Sequence, residues 1–209
     1  MPPPAVPTVF IVDDDEAVRK AVSRLLRSAG IAVAIFASPR EFLAQYNPAT
    51  PGCLVLDMAM PDFDGLQLQT ALTEKGSILP IIFLTGHGDV SKSVQAMKQG
   101  AFDFLSKPVK DKDLLTAVRA AIERNVVARQ QQAQLSAIRA RLDSLTPRER
   151  EVLEHVVSGK LNKQIAGDLG ITKATVKMHR AHVMAKMGVQ SVAELARLTE
   201  RCGIRGNGQ

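Results

Sequence analysis

Asp13 and Asp14 directly follow a short apolar run at residues 9–12, and Asp57 follows a second at residues 53–56. Three carboxylates brought together repel one another and raise one another's pKa unless a cation sits between them. Hard oxygen ligands with room for water suit Mg²⁺, or Mn²⁺ in its place. Thr85 ends another apolar run, and Lys107 follows a further one, directly before Pro108. A hydroxyl and an ammonium converging on carboxylates beside a divalent cation suit a phosphoryl group, which carries several oxygens and more negative charge. An aspartate is itself a nucleophile in phosphoryl transfer, a reaction that needs mainly metal, charge balance and in-line positioning. Asp57 is the candidate acceptor. A lone acid at the end of an apolar run is usually a loop cap, and Asp15 and Glu16 take that plainer reading. Acids in the first turn of a helix meet its dipole favourably.

These positions converge only if the apolar runs are strands of one sheet. Strand candidates lie at 9–12, 31–36, 53–56, 81–85 and 104–105, and helix candidates at about 17–28, 39–46, 65–74, 90–98 and 112–124. Runs that are apolar throughout suit strands covered on both faces, which predicts a five-fold βα repeat around a parallel sheet. In the flavodoxin-like order the first and third strands flank the point where ligands bind, at the carboxyl ends of the strands. From Lys112 the helical stripe continues through Leu114, Leu115, Val118, Ile122, Val126, Leu135, Ile138, Leu142 and Leu145. The expected organisation is an α/β domain over residues 8–124, a helical linker over 125–143 with a solvated polar hinge at 129–134, and an all-α domain over 144–204.

The chain has 209 residues, 45% hydrophobic and 23% charged, and a net charge of +6. That composition is globular and allows two small domains. Residues 1–124 hold 13 Lys and Arg against 14 Asp and Glu, whereas the last 85 residues hold 14 against 7. The basic excess therefore belongs to the all-α part and points to an anionic partner there. Cys53 and Cys202 have no metal-ligand spacing and read as free thiols in a reducing compartment. The sequence shows no apolar run of spanning length and no signal peptide at its start, so a cytoplasmic location without membrane contact is expected.

In the all-α part Thr146, Pro147 and Glu149 form a capping-box start, Thr172 caps a third helix and Ser191 a fourth. Gly170, Ile171 and Thr172 alone separate the second helix from the third, the short link of a helix-turn-helix. Val176, Val183 and Met187, with His179 nearby, are assigned to the core. Lys173, Thr175, Lys177, Met178 and Arg180 are then exposed around the helix start, where a recognition helix meets base edges and phosphates. A solvated basic helix face is the plainer alternative.

The set VDDD at 12–15, LDMAMPDFDG at 56–65, TGHGD at 85–89 and FLSKP at 104–108 resembles the receiver domain of two-component response regulators. The resemblance implies that Asp57 accepts phosphoryl from a sensor histidine kinase. It also implies that Asp14, Asp57 and the carbonyl of Ala59 bind Mg²⁺ directly, Asp13 through water, and that Lys107 pairs with phosphoryl oxygens. Thr85 and Phe104 match two switch positions; Phe104 replaces a frequent Tyr, so ring burial and not a phenolic hydroxyl would drive the switch. Gly86 leaves the site open to transfer and hydrolysis, and His87 is expected to pack locally on its loop, not to act as a base.

The order LTPREREVL, NKQIAGDLGI, TVKMH resembles the LuxR-type DNA-binding domain of four helices. Base reading then maps onto Lys177, Met178 and Ala181, and phosphate contacts onto helix starts and the second and third helices, including Lys163. Ala181 is too short to hydrogen-bond a base and offers at most contact with a thymine methyl. The last helix either dimerises or packs into the core. Receiver, linker and LuxR-type domain together resemble the FixJ/NarL regulators, the FixJ-like branch with StyR and TodT in particular. That implies homodimerisation on phosphorylation, promoter DNA and RNA polymerase as partners, and no enzymatic activity beyond loss of its own phosphoryl group. Two rivals are a phosphorylation-independent DNA binder and a Mg-dependent phosphohydrolase; the latter lacks a substrate pocket beyond the shallow site at the strand ends.

Overall fold

The computed structural model describes residues 6–61, 63–86 and 90–204. Two compact units divide between residues 130 and 131. In the first, five strands form one parallel sheet in the order β2-β1-β3-β4-β5. They are β1 Thr8–Val12, β2 Ala32–Phe36, β3 Gly52–Asp57, β4 Ile81–Thr85 and β5 Asp103–Ser106. Between them run α1 Glu16–Ser28, α2 Pro39–Gln45, α3 Gly65–Glu74 and α4 Val90–Lys98, and α5 Asp111–Asp143 follows.

Successive strand residues point to opposite faces, so β1 to β4 each feed two cores. Phe10, Val12, Leu54, Leu56 and Phe83 pack with Phe42, Leu68, Leu72 and Ala96 from α2, α3 and α4. Val9, Ile11, Val55, Ile82 and Leu84 pack on the other face with Val22 and Leu26 of α1 and Leu114, Val118 and Ala121 of α5. Cys53 lies in that second core, where burial pushes its thiol up to about 12 and keeps it protonated. The expectation of strands covered on both faces holds for β3 and β4 but not for the edges: Ile35 on β2 and Phe104 on β5 are 45% and 47% exposed.

The first unit extends past the expected boundary at 124. Asn125 is fully buried, accepts the Gly52 N–H at 3.0 Å and donates to the Ile78 carbonyl at 2.8 Å. Arg129, expected in a solvated hinge, donates to Asn125 Oδ1 and to the carbonyls of Pro48, Ala49 and Thr50. These contacts close off the amino-terminal ends of β3 and β4, so α5 is a structural part of the sheet domain through Arg129 and carries on without a break.

The second unit starts on the last turns of α5. Ile138 and Leu142 are buried there with Leu145 and with Val152, Leu153 and Val156 of α6 Pro147–Val157. Ile165 of α7 Asn162–Leu169, Val176, Val183 and Met187 of α8 Lys173–Met187, and Leu195 of α9 Val192–Glu200 complete that core. The expected four-helix domain thus takes a fifth packing element from the linker. Thr146, Thr172 and Ser191 cap their helices as expected. The apolar stripe of α9 goes into the core, with Leu195 buried and Val192 and Leu198 packed against it.

Candidate functional site

Strand order places the ends of β1 and β3 side by side, and one carboxylate oxygen from each of Asp13, Asp14 and Asp57 lies within 4.8 Å of the others. Asp13 and Asp57 are buried, while Asp14 is exposed. Lys107 follows β5 and donates to Asp13 Oδ2 at 2.8 Å and Asp57 Oδ1 at 2.7 Å. Burial pushes the Asp57 carboxyl up, against the hydrogen bond and charge of Lys107 and with the repulsion of Asp13 and Asp14. Burial also works against the charged ammonium, but hydrogen bonds to Asp13 and Asp57 outweigh it and hold the Lys107 pKa above its usual value. One lysine thus spans two acids while a third stands open to solvent, and the set carries a net negative charge suited to a divalent cation.

Asp13 Oδ1 also accepts the Asp15 N–H at 2.9 Å, so both of its oxygens are engaged. Asp15 caps α1 through the N–H groups of Ala17 and Val18, the plain role expected for it. Arg19 on the next turn donates to the carbonyls of Asp13 and Asp14 at 2.6 and 2.8 Å. It fixes the backbone that aims the acids, a role that its place in the sequence does not announce.

After Asp57, the buried side chains of Met58 and Met60 bracket an exposed Ala59. Gly65 closes this loop with an N–H bond to the Met58 carbonyl at 3.2 Å. A Cβ at Gly65 would stand 2.5 Å from the Asp57 carbonyl oxygen and 2.9 Å from the Phe83 ring, so no other residue lets α3 start so close. Thr85 is buried at the end of β4, and its carbonyl accepts the Lys107 N–H at 2.7 Å. Gly86 is exposed beside it, whereas His87 lies outside the described residues. Phe104 stands opposite Phe83 in register with its side chain half exposed. Beside Lys107 and Pro108, an apolar groove of about 570 Å³ runs between Val18, Ala21 and Leu25 of α1 and Val109 and Leu114.

In the second unit Lys163, Lys173, Lys177, Met178 and Ala181 are exposed on α7 and α8. Two expected members of this face also bond within the domain. Thr175 is half-buried with its hydroxyl 2.8 Å from that of Thr172, as part of the helix cap. Arg180 is half-buried and donates to Asn162 Oδ1 at 2.5 Å, tying α8 to the start of α7. Arg148 donates to the Leu169 carbonyl at the turn and pairs with Glu151, so α6 braces the helix-turn-helix. Glu149 is buried beyond its capping role, accepting from Lys186 at 2.6 Å with His182 at 3.6 Å. The Lys186 ammonium holds its carboxyl at about 2, well below the usual range, helped by the Thr146 N–H.

Among the described residues no helix is long and apolar enough to cross a membrane. Residues 9–119 match the response regulator receiver domain and residues 143–199 the bacterial regulatory proteins of the luxR family. Nodulation protein W of Bradyrhizobium diazoefficiens is 45% identical over 199 residues, 95% of this chain and 88% of that protein. The response regulator protein TmoT of Ectopseudomonas mendocina is 46% identical over 193 residues, 92% of this chain and 88% of its own. The solved structure of the response regulator StyR is 45% identical with a TM-score of 0.87, covering 94% of this chain and all of that one.

Proposed function

This chain belongs to the response regulators that join a receiver domain to a LuxR-type DNA-binding domain, and we propose that Asp57 is its phosphorylation site. The observation that carries this is the Lys107 bridge between Asp13 and Asp57 with Asp14 alongside. The donor is the phosphohistidine of a sensor kinase: its P–N bond breaks as an Asp57 oxygen forms the new P–O bond. Lys107 holds Oδ1 of Asp57, which leaves Oδ2 to attack, and its ammonium then pairs with the incoming phosphoryl oxygens. The groove between α1 and Pro108 gives the kinase an apolar footing next to Lys107.

Mg²⁺ fits the carboxylate set, where it would neutralise charge developing on the transferred oxygens. Asp14, Asp57 and the Ala59 carbonyl would hold it directly; Asp13, with both oxygens engaged, would reach it through water. Phosphorylation then draws the Thr85 hydroxyl toward the new anion and lets the half-exposed Phe104 ring turn inward. Exposed Val94 and Met97 on α4, with Phe104 on β5, supply apolar surface for pairing two receivers. A dimer brings two copies of α8 to paired half-sites of promoter DNA, raising affinity through effective concentration. Lys177, Met178 and Ala181 face the bases, Lys163 and Lys173 the phosphates, Arg180 and Thr175 contribute from behind, and RNA polymerase is the downstream partner in the cytoplasm. Slow loss of the phosphoryl group past the open Gly86 would reset the protein.

Phosphoprotein gels with acetyl phosphate and Mg²⁺ test the site. One acid-stable, base-labile phosphoryl group per chain is expected, absent in Asp57→Asn. Labelling that survives Asp57→Asn, or steady turnover of small phosphate esters by the wild-type chain, would overturn the assignment.

A further inference from the structure

We infer that Arg141, on the linker helix α5, is a positioning residue for DNA recognition: it joins the end of α5 to the end of the recognition helix α8. The inference rests on the reading of α8 as the helix that meets DNA. Arg141 Nη1 donates to the carbonyl of Met187, the last residue of α8, at 3.0 Å. In return Lys186, one residue earlier, donates to the carbonyl of Ser144, the first residue after α5, at 3.2 Å. Each helix thus supplies a cation to the other's carboxyl-terminal end, where unpaired carbonyls and the helix dipole concentrate negative charge. Glu149 sits against Lys186 at 2.6 Å and keeps that ammonium in place.

Ending α8 does not require this exchange. Gly188 adopts φ +65°, its N–H reaches the carbonyls of Ala185 and Met184, and the Val189 N–H bonds Met184 at 3.1 Å. The helix is closed by its own backbone, and what Arg141 adds is a link to α5. The approach is close: a Cβ at Gly188 would stand 3.3 Å from Arg141 Nη1. Lys173, where α8 begins, is ~20 Å away along the helix at 1.5 Å per residue, so Arg141 acts on orientation and not by touching the bases read there. A small change of tilt at this anchored end becomes a larger displacement at Lys173 and Lys177. Beyond the shared apolar core, Arg141 and Lys186 therefore help to set how α8 is presented.

The test uses the full chain treated with acetyl phosphate, as wild type, Arg141→Gln and Arg141→Lys. Binding is titrated to a genomic duplex selected with the wild-type chain and to a random duplex of equal length, over a series of salt concentrations. Arg141→Gln should weaken the selected duplex about tenfold, the scale of one charged hydrogen bond, with random-duplex affinity, salt slope and Asp57 labelling unchanged. Arg141→Lys should recover part of the loss. Wild-type affinity in Arg141→Gln, no recovery in Arg141→Lys, or an equal loss on both duplexes with a shallower salt slope would each overturn the inference. A wild-type chain that binds no duplex would instead overturn the DNA-binding reading beneath it.

Discussion

The two charged regions of this protein are built in opposite ways. In the receiver, Asp13, Asp57 and Lys107 come from strands far apart in the chain, and their charges face inward and bond one another. On the proposed DNA-binding face, Lys163, Lys173 and Lys177 lie close in sequence and are exposed to solvent. Phosphoryl chemistry needs charges held in place before the reaction, at the cost of desolvating them. Binding a polyanion needs cations free to exchange with counterions, so rigidity there belongs to the residues behind the face, Arg148, Arg180 and Glu149.

That contrast makes the receiver intolerant of single changes and the DNA face graded. Asp57→Asn should abolish acyl-phosphate formation altogether, as read on phosphoprotein gels. Lys107→Ala leaves two buried acids without their cation and should slow phosphorylation by roughly 10²-fold or more, the scale of losing one preorganised charged donor; an unchanged labelling rate would erase the distinction. Lys173→Ala should cost far less, lowering the slope of log affinity against log salt by about one. Thr175→Val, which removes the hydroxyl bonded to the Thr172 cap, should lower the thermal midpoint with little change in that slope.

The supporting acid Glu149 also has a pH signature. Its folded carboxyl titrates at about 2 against a usual 4.5, so the ionised form favours the folded domain. Its contribution is fully present above pH 4.5 and fades as pH falls from there toward 2. Glu149→Gln should flatten the loss of stability across that window in acid titrations of melting temperature.

The convergence of Asp13, Asp14, Asp57 and Lys107 was legible because a parallel sheet gathers the carboxyl ends of its strands, once the apolar runs are strands in flavodoxin-like order. The edge exposure of Ile35 and Phe104 was not, since a run of apolar residues looks the same in a central strand and at an edge. Arg19, Asn125 and Arg129 work by donating to backbone carbonyls, which every residue carries, so nothing in their spacing marks the partner. Nor does anything in the spacing announce that Arg180 also bonds Asn162. The stripe through Ile138 and Leu142 was visible, but period alone does not say which core it enters. Helix starts were read well because caps are local chemistry, as at Thr146 and Thr172.

The central claim is that events at the buried acids govern the exposed cations. Gel-shift titration against genomic fragments, with the chain untreated, treated with acetyl phosphate, and carrying Asp57→Ala, tests it directly. Phosphorylated protein should bind its selected fragment more tightly than either of the others, and Asp57→Ala should not respond to acetyl phosphate. Equal affinity in all three would show a DNA-binding protein that its receiver does not control, and would contradict the account.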